Sequence, residues 1–233
     1  MAEAPILSEN DIYERMVATI LDHRLPPGTK LIEEKLATAF GVSRTRIRPV
    51  LVRLANEQIV TLTPNRGATV AQPTEQEARE VFEVRRMIEP ILVRRFVRQA
   101  TDASIATLTQ CIDDEEQARE RADMRRAIRL SGEFHLHIAT GADHQTLGRI
   151  LRELVSRTSL ILMTYSSNHM QGRPEATACG CTEHRALLDA IRLRDANAAD
   201  VLMQQHLRQL EAQLQFGQDN SNEPDLEQLF KPE

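Results

Sequence analysis

Short apolar runs at helical spacing open the chain, and residues that break helices separate them. This spacing predicts a first helix from a cap at Asn10 to about His23, and a second from Ile32 to Phe40. A third helix follows a cap at Ser43 and ends near Glu57. The chain therefore begins with three short amphipathic helices.

The pattern then changes to the alternation that is typical of strands. Residues 59–63 and 68–70 alternate between apolar and polar, and Pro64-Asn65-Arg66-Gly67 between them favours a turn. Three short helices followed by a hairpin are the element order of a winged helix-turn-helix domain. Such a domain presents one helix and the hairpin tip to the grooves of DNA.

Beyond residue 70 the apolar spacing is helical almost throughout. We predict a mainly α chain with a winged helix-turn-helix domain over residues 1–70, a linker over 71–73 and an all-helical six-helix domain over 74–216. A polar segment from Ser166 to Gly180 is predicted to be a loop, and residues 217–233 a flexible acidic tail. The helical segments lie near 74–99, 102–121, 123–140, 146–165, 182–194 and 196–216.

Composition narrows the possible functions. Aromatic residues make up only 3% of the 233 residues and Trp is absent, which argues against single-strand or RNA recognition by stacking. No apolar run approaches a membrane span and no secretory signal opens the chain, so we expect a cytoplasmic protein without a membrane partner. The odd number of cysteines favours reduced thiols: Cys111, Cys179 and Cys181.

The net charge of −5 is unevenly distributed. Residues 1–74 contain nine Lys or Arg and eight Asp or Glu, so the deficit of positive charge lies in the rest of the chain. Four arginines fall within ten residues of the third helix, with no acid between them: Arg44, Arg46, Arg48 and Arg53. Clustered cations of this kind suit contact with phosphates. The alternative is an ordinary solvated helix face.

The segment GVSRTRIRPVLVRLANEQIVTLTPNRGATV resembles the winged helix of GntR-family bacterial transcriptional regulators. That resemblance implies DNA-contacting arginines at Arg44 and Arg48, and phosphate-contacting hydroxyls at Ser43 and Thr45. It also implies a wing tip at Arg66 and Gly67. The sequence departs from the usual pattern at Arg46, which adds a cation to the groove, and at Pro49, where we expect a kink or a tilted first turn.

Histidines identify the candidate site of the helical domain. His135, His184 and His206 each share an apolar helix face, on three different segments. A histidine on such a face is often an ordinary buried core residue. Three of them, if they converge, could instead bind a divalent transition metal through neutral imidazoles.

The segments EVRRMIEP, GEFHLHIATGADHQTL and TEHRALLDAIRLRDANAADVLMQQHL together resemble the FCD effector-binding domain, of the six-helix VanR-like type. Many members hold a metal through an Asp, a His four residues later and two further His. That implies a divalent metal such as zinc at His135, His184 and His206. The Asp position is Ser131 here, and a hydroxyl is a weaker ligand than a carboxylate.

The same resemblance implies a small carboxylate effector, for which Arg85 and Ser131 are the candidate contacts. Arg85 could instead form a structural ion pair with Glu89. A homodimer on a palindromic operator is expected, because one winged helix covers only a half-site.

Two other functions compete with a ligand-responsive repressor. One is a metal or redox sensor, in which the metal itself or Cys179 and Cys181 receive the signal, with a cluster of the two thiols and His184 as a variant. The other is a metal-dependent hydrolase fused to a DNA-binding domain. No H-E-x-x-H or similar pairing is present, so the sequence does not indicate an enzyme.

Overall fold

A computed structural model describes residues 7–22, 24–166 and 178–216. The chain divides into two compact units. The helices and strands of the first unit come before Gln72, and the second unit starts at Pro73. The predicted tail over residues 217–233 and most of the predicted loop lie outside the described residues.

The N-terminal unit combines three helices with a small antiparallel sheet. Strand β3 lies between the other two strands and pairs with both, and Thr63 faces Gly67 at the hairpin end. Its elements are α1 (Glu9–Leu21), β1 (Lys30–Leu31), α2 (Glu33–Phe40), α3 (Arg44–Asn56), β2 (Val60–Thr63) and β3 (Gly67–Val70). This is the predicted winged helix-turn-helix, with β1 as an added strand.

Helix α1 begins two residues earlier than the sequence suggested. Ser8, not Asn10, is the N-cap: its side chain accepts from the Asp11 amide while Asp11 bonds back to the Ser8 amide. The apolar face then packs on α3, with Ile12 and Met16 fully buried.

The turn between α2 and α3 has a simple backbone cause. Gly41 ends α2 in the left-handed conformation (φ +64°), which favours glycine. Ser43 then has extended backbone, and α3 starts at the next residue. Helix α3 continues through Pro49 to Asn56, and Pro49 lies on its exposed face.

The second unit is an all-helical domain of six helices within the described residues. Thr74 caps the first of them through a capping box with Glu77. The helices are α4 (Glu75–Gln99), α5 (Asp102–Glu120), α6 (Met124–Gly141), α7 (Gln145–Tyr165), α8 (Ala178–Arg192) and α9 (Ala196–Ala212).

The long helix α4 contacts α6, α7, α8 and α9, and α5 lies against α6 and α8. Phe96, Phe134 and Leu187 are among the residues that fill the core. Helix α8 starts at Ala178, so the predicted loop is wrong for residues 178–180. Among the described helices, none is long and apolar enough to cross a membrane.

Candidate DNA-binding surface and metal centre

The N-terminal end of α3 presents a polar, exposed tip. Ser43, Arg44 and Thr45 are all exposed, and the hydroxyls of Ser43 and Thr45 lie 2.7 Å apart in a hydrogen bond. Ser43 occupies the cap position, but its side chain makes no capping bond to the helix. Both hydroxyls and the Arg44 guanidinium therefore lie where a DNA backbone or base edge could be contacted.

The other three arginines of α3 are held by neighbouring segments. Arg46 donates to the carbonyl of Leu7, and Arg48 donates to Glu33 at 2.8 Å while its side chain stays 64% exposed. Arg53 lies over the Tyr13 ring, 3.3 Å from its centroid, and donates to Asn10. Of the partners named here, Glu33 alone is an acid, so it balances part of the positive charge of α3.

The wing tip is a tight turn closed by the backbone. The Arg66 amide donates to the Thr63 carbonyl at 3.0 Å, and Asn65 takes a positive φ of 60° after Pro64. Gly67 also has a positive φ, 86°, with nothing within 4 Å of the place where a Cβ would stand. Arg66 is exposed beside it, so a duplex could approach this tip closely.

In the helical unit, the three histidines named from the sequence come together in the interior. His135 on α6, His184 on α8 and His206 on α9 are 0–1% exposed. Their candidate ligand nitrogens all lie within 4.8 Å of one another, and the Nε2 atoms of His135 and His206 are 3.3 Å apart. No other comparable group of His, Cys, Asp or Glu is found among the described residues.

Each imidazole uses its other nitrogen to contact a carboxylate. The Nδ1 of His135 donates to Glu89 at 2.5 Å, that of His184 donates to Glu115 at 2.9 Å, and that of His206 donates to Glu183 at 2.6 Å. An ionised carboxylate accepts only, so each Nδ1 carries a proton, and in a neutral imidazole this leaves Nε2 with a lone pair. Carboxylates in this position orient metal-ligating histidines.

Protonation states support this assignment. Burial by itself would raise the pKa of Glu89 and of Glu115. Arg85 with His135 in the first case, and His184 with Arg119 in the second, outweigh burial and hold each pKa at about 2. Burial lowers the pKa of His135 to about 3, and it also lowers the pKa of His206. Both of these imidazoles are therefore neutral near pH 7.

These residues fit a divalent transition metal. Two lone pairs that face each other across 3.3 Å share no proton, and the buried Nε2 of His184 has no hydrogen-bond partner. Imidazole nitrogens on one tetrahedral zinc, each about 2.0–2.1 Å from the metal, would lie roughly 3.3 Å apart. Three imidazoles with one coordination position left open would be a suitable donor set for such a metal.

Arg85 forms an ion pair and also has one donor nitrogen without a hydrogen-bond partner. Its Nε donates to Glu89 at 2.5 Å and its Nη1 donates to Thr158 of α7 at 3.1 Å. Its Nη2 is buried without a hydrogen-bond partner. A buried, unsatisfied guanidinium donor next to the histidine cluster is a candidate anchor for an anion.

Ser131 lines a small cavity of about 30 Å³ together with His206, Arg119 and Glu183. A volume of this size holds about one water molecule. Ser131 and His206 therefore line the same cavity.

A wider cleft of about 390 Å³ lies between α6 and the start of α7, lined by residues that include His144, Arg149 and Arg152. None of the three clustered histidines lines it. His144 caps α7 by accepting from the Leu147 amide at 3.4 Å. The smaller cavity, by contrast, is lined by one of the clustered histidines, His206.

The cysteines do not add a second centre within the described side chains. Burial raises the pKa of Cys181 to about 12 although Arg119 opposes this, and burial also raises that of Cys111 to about 12. Such thiols are poor nucleophiles at neutral pH. The side chain of Cys179, part of the thiol cluster considered from the sequence, lies outside the described residues.

The carboxylates behind the histidines are the functional residues that sequence reasoning missed. Glu89 was considered only as the partner of Arg85, and Glu115 and Glu183 were not singled out. Glu183 directly precedes His184, but its bond is to His206 of the next helix. Glu115 is 69 residues from His184, so no local spacing could have joined them.

A winged helix-turn-helix unit joined to an all-helical domain defines a class of DNA-binding regulators. Residues 8–70 match the bacterial regulatory proteins of the gntR family, and residues 80–209 match the FCD domain. The chain belongs to the gntR family and to its FCD-containing group. It is a DNA-binding transcriptional regulator and not an enzyme.

A named relative and two solved structures are similar to this chain over most of its length. The HTH-type transcriptional repressor RspR of Escherichia coli K12 is 26% identical over 212 residues, which are 91% of each chain. The solved structure of E. coli McbR/YncC has a TM-score of 0.77 at 22% identity and covers 86% of this chain and 93% of its own. A transcriptional regulator from Rhodococcus sp. RHA1 gives 0.76 at 21% identity, covering 88% and 96%. These structures share the fold.

Proposed function

We propose that this protein is a homodimeric repressor that binds a palindromic operator and is released by a small carboxylate bound beside a divalent metal in the helical domain. The observation that supports the effector half is the convergence of three buried imidazoles whose Nδ1 atoms each contact a carboxylate. RspR, described as a transcriptional repressor, supports repression as the mode of action.

The DNA-binding half rests on the tip of α3 and the wing. Arg44 and Arg48 would reach base edges from the first turns of the helix, and the Ser43 and Thr45 hydroxyls would bond phosphates. Arg46 and Arg66 would add charge, with Gly67 allowing close approach of the wing. Arg48 must exchange its exposed contact with Glu33 for one with DNA, which costs little for a surface pair.

In the effector half, His135, His184 and His206 would hold the metal, and the open position would face the cavity at Ser131. A bound metal would supply a positive centre that attracts a carboxylate. The unsatisfied Nη2 of Arg85 would donate to the same ligand or to one close by. An effector of this kind releases DNA only if it binds the DNA-incompetent arrangement more tightly.

The dimer is supported by one exposed face of α4. Val84, Met87 and Ile91 form an exposed apolar stripe, 36%, 59% and 48% accessible. Exposed Glu80 and Glu83 precede this stripe, and Arg98 follows it. Two such helices packed antiparallel around a two-fold axis would place the acidic end of each against the basic end of the other.

Substitution of Arg44 tests the DNA assignment. A palindromic site would first be selected from random duplexes by the wild-type protein, and affinity measured by gel shift at fixed salt. Arg44→Ala should lower the affinity for that site by about 5- to 150-fold per half-site, since a bidentate base contact is worth roughly 1–3 kcal/mol.

Arg125→Ala, which removes an exposed arginine of α6, is the matched control and should bind like wild type. Equal affinities for wild type and Arg44→Ala would refute the assignment of α3 to the major groove.

A further inference from the structure

The wider cleft, between α6 and the start of α7, has a cationic lining that neither the DNA-binding surface nor the histidine cluster uses. Its volume of about 390 Å³ falls within the range of small-molecule sites, whereas a single ion needs far less space. Arg149 and Arg152 line it, and no described Asp or Glu side chain does. The chain beyond residue 74 is acidic overall, so the cleft differs in charge from the domain that contains it.

Both guanidinium groups of the cleft are uncommitted. Within the described part of the chain, neither the Arg149 nor the Arg152 side chain forms an ion pair or a hydrogen bond. Other arginines of the same unit, such as Arg157, Arg185 and Arg192, each pair with an acid. Arg149 and Arg152 are three positions apart on α7, so their side chains lie on one face of the helix. Two uncommitted cations beside one cavity favour an anionic ligand.

Gly148 keeps this cleft open. A Cβ at Gly148 would meet one described atom outside its own helix within 4 Å, the Ala139 carbonyl oxygen, at the ordinary contact distance of 3.9 Å. The packing of α6 on α7 therefore does not require a glycine, and the backbone of Gly148 is helical. Glycine is among the least favourable residues inside a helix. What it provides here is unfilled volume beside the two arginines.

We propose that this cleft is a second ligand site of the protein and that its ligand is a small organic phosphate monoester. Such an ester carries nearly two negative charges at neutral pH, which matches two guanidinium groups. The planar guanidinium bonds phosphate oxygens bidentately, and one arginine would suffice for a monoanion. The rest of the lining suits the organic part, with hydroxyls from Thr140 and Thr146 and apolar surface from Leu136 and Ala139.

The test measures binding to the full chain by isothermal titration calorimetry at constant ionic strength. Glycerol 3-phosphate and glucose 6-phosphate are the probes, and glycerol, glucose and inorganic phosphate are the comparisons. At least one ester should bind about tenfold or more tightly than its parent polyol and than inorganic phosphate. Esters that bind no more tightly than inorganic phosphate would overturn the proposal, since the cleft would then hold an adventitious ion only.

Charge variants locate the phosphate. Arg149→Gln and Arg152→Gln should each lower the affinity for the ester about tenfold or more. Arg125→Gln is the matched control, because Arg125 is an exposed arginine of α6 that does not line the cleft, and it should bind like wild type. Unchanged affinity in both cleft variants would refute the role of the arginines.

Two further variants separate the cleft from the open surface and from the histidine cluster. Gly148→Leu fills the cleft and should abolish ester binding, whereas Gly148→Ala adds a methyl group at an ordinary contact distance and should keep it. Ester binding by Gly148→Leu that equals wild type would refute the cleft as the site. His184→Ala should bind the ester like wild type, because His184 does not line the cleft. Loss of ester binding in a folded His184→Ala would assign the ester to the histidine cluster instead and overturn the proposal.

Discussion

At the scale of single residues, the buried carboxylates decide what the imidazoles can do. Glu115 is fully buried and accepts from both His184 and Arg119. Its negative charge fixes the proton of His184 on Nδ1 and increases the basicity of Nε2. Without it, His184 could rotate or take the other tautomer. The ligand set therefore depends on residues that would never touch the metal.

We expect Glu115→Gln to weaken zinc binding by about 10- to 100-fold, as loss of such a supporting partner typically does. The amide keeps the shape of the side chain but loses the charge. Zinc affinity measured by competition with a chromophoric chelator, with formate as the small carboxylate, checks this.

Glu116→Gln is the matched control. Glu116 lies on the same helix as Glu115, but it pairs with Arg185 near the surface. It should bind zinc like wild type. Comparable zinc affinities for Glu115→Gln and Glu116→Gln, with both folded by circular dichroism, would contradict the supporting role of Glu115.

At the scale of elements, the order of helices and strands was predictable because its signals are local. Gly41, Thr74 and the turn at Asn65 act through their own backbone or through residues three positions away. Strand β1 is only two residues long and exists through pairing with β3, so it has no pattern of its own. Non-local pairing also explains why Glu115 was missed.

Gly180 is a second position where a contact with a residue far away in the sequence was not predictable. In sequence it favoured a loop, but it lies in α8, where a Cβ would stand 3.2 Å from the Arg119 guanidinium. The small residue allows the two segments to approach closely. Pro49 lies inside α3 and does not end it, since the helix continues to Asn56.

Helix α7 contacts both the candidate effector site and the segment that begins the second unit. Thr158 accepts from Arg85, and Tyr165 donates to the Pro73 carbonyl at 2.7 Å. The two residues are seven positions apart, so they lie on one face of the helix about two turns from each other. A ligand that engages Arg85 can thus influence Pro73 through one rigid element.

We expect zinc with formate to slow amide hydrogen exchange in the wild-type peptide that spans residues 71–78, and Tyr165→Phe to lose most of this protection. The phenyl ring preserves packing while the bond to Pro73 disappears. Hydrogen exchange measured by mass spectrometry checks this prediction. The zinc affinity of Tyr165→Phe should equal that of wild type.

Thr164→Ala is the control, since the Thr164 hydroxyl donates to Leu160 within α7. Undiminished protection in Tyr165→Phe would show that α7 does not transmit binding to the linker.

At the scale of the whole molecule, the proposed repression requires two DNA-binding units at a fixed spacing, so the proposed dimer is part of that function. The exposed face of α4 offers a self-complementary surface about 37 Å long, the length of its 25 residues. Met87 lies in the middle of the apolar stripe, between Val84 and Ile91. Around a two-fold axis near this point, each Met87 would lie close to the apolar stripe of the partner.

Met87→Glu should therefore place two like charges in the centre of the interface, which costs several kcal/mol and raises the dimer dissociation constant by at least 100-fold. Analytical ultracentrifugation over a micromolar dilution series would show monomers for this variant and dimers for wild type.

Leu193→Glu is the control, because Leu193 is 80% exposed and lies outside α4. Affinity for the palindromic site should fall with the dimer in Met87→Glu and stay unchanged in Leu193→Glu. A dimer that survives Met87→Glu would remove α4 from the interface, and the two half-sites would then have to be joined through another surface.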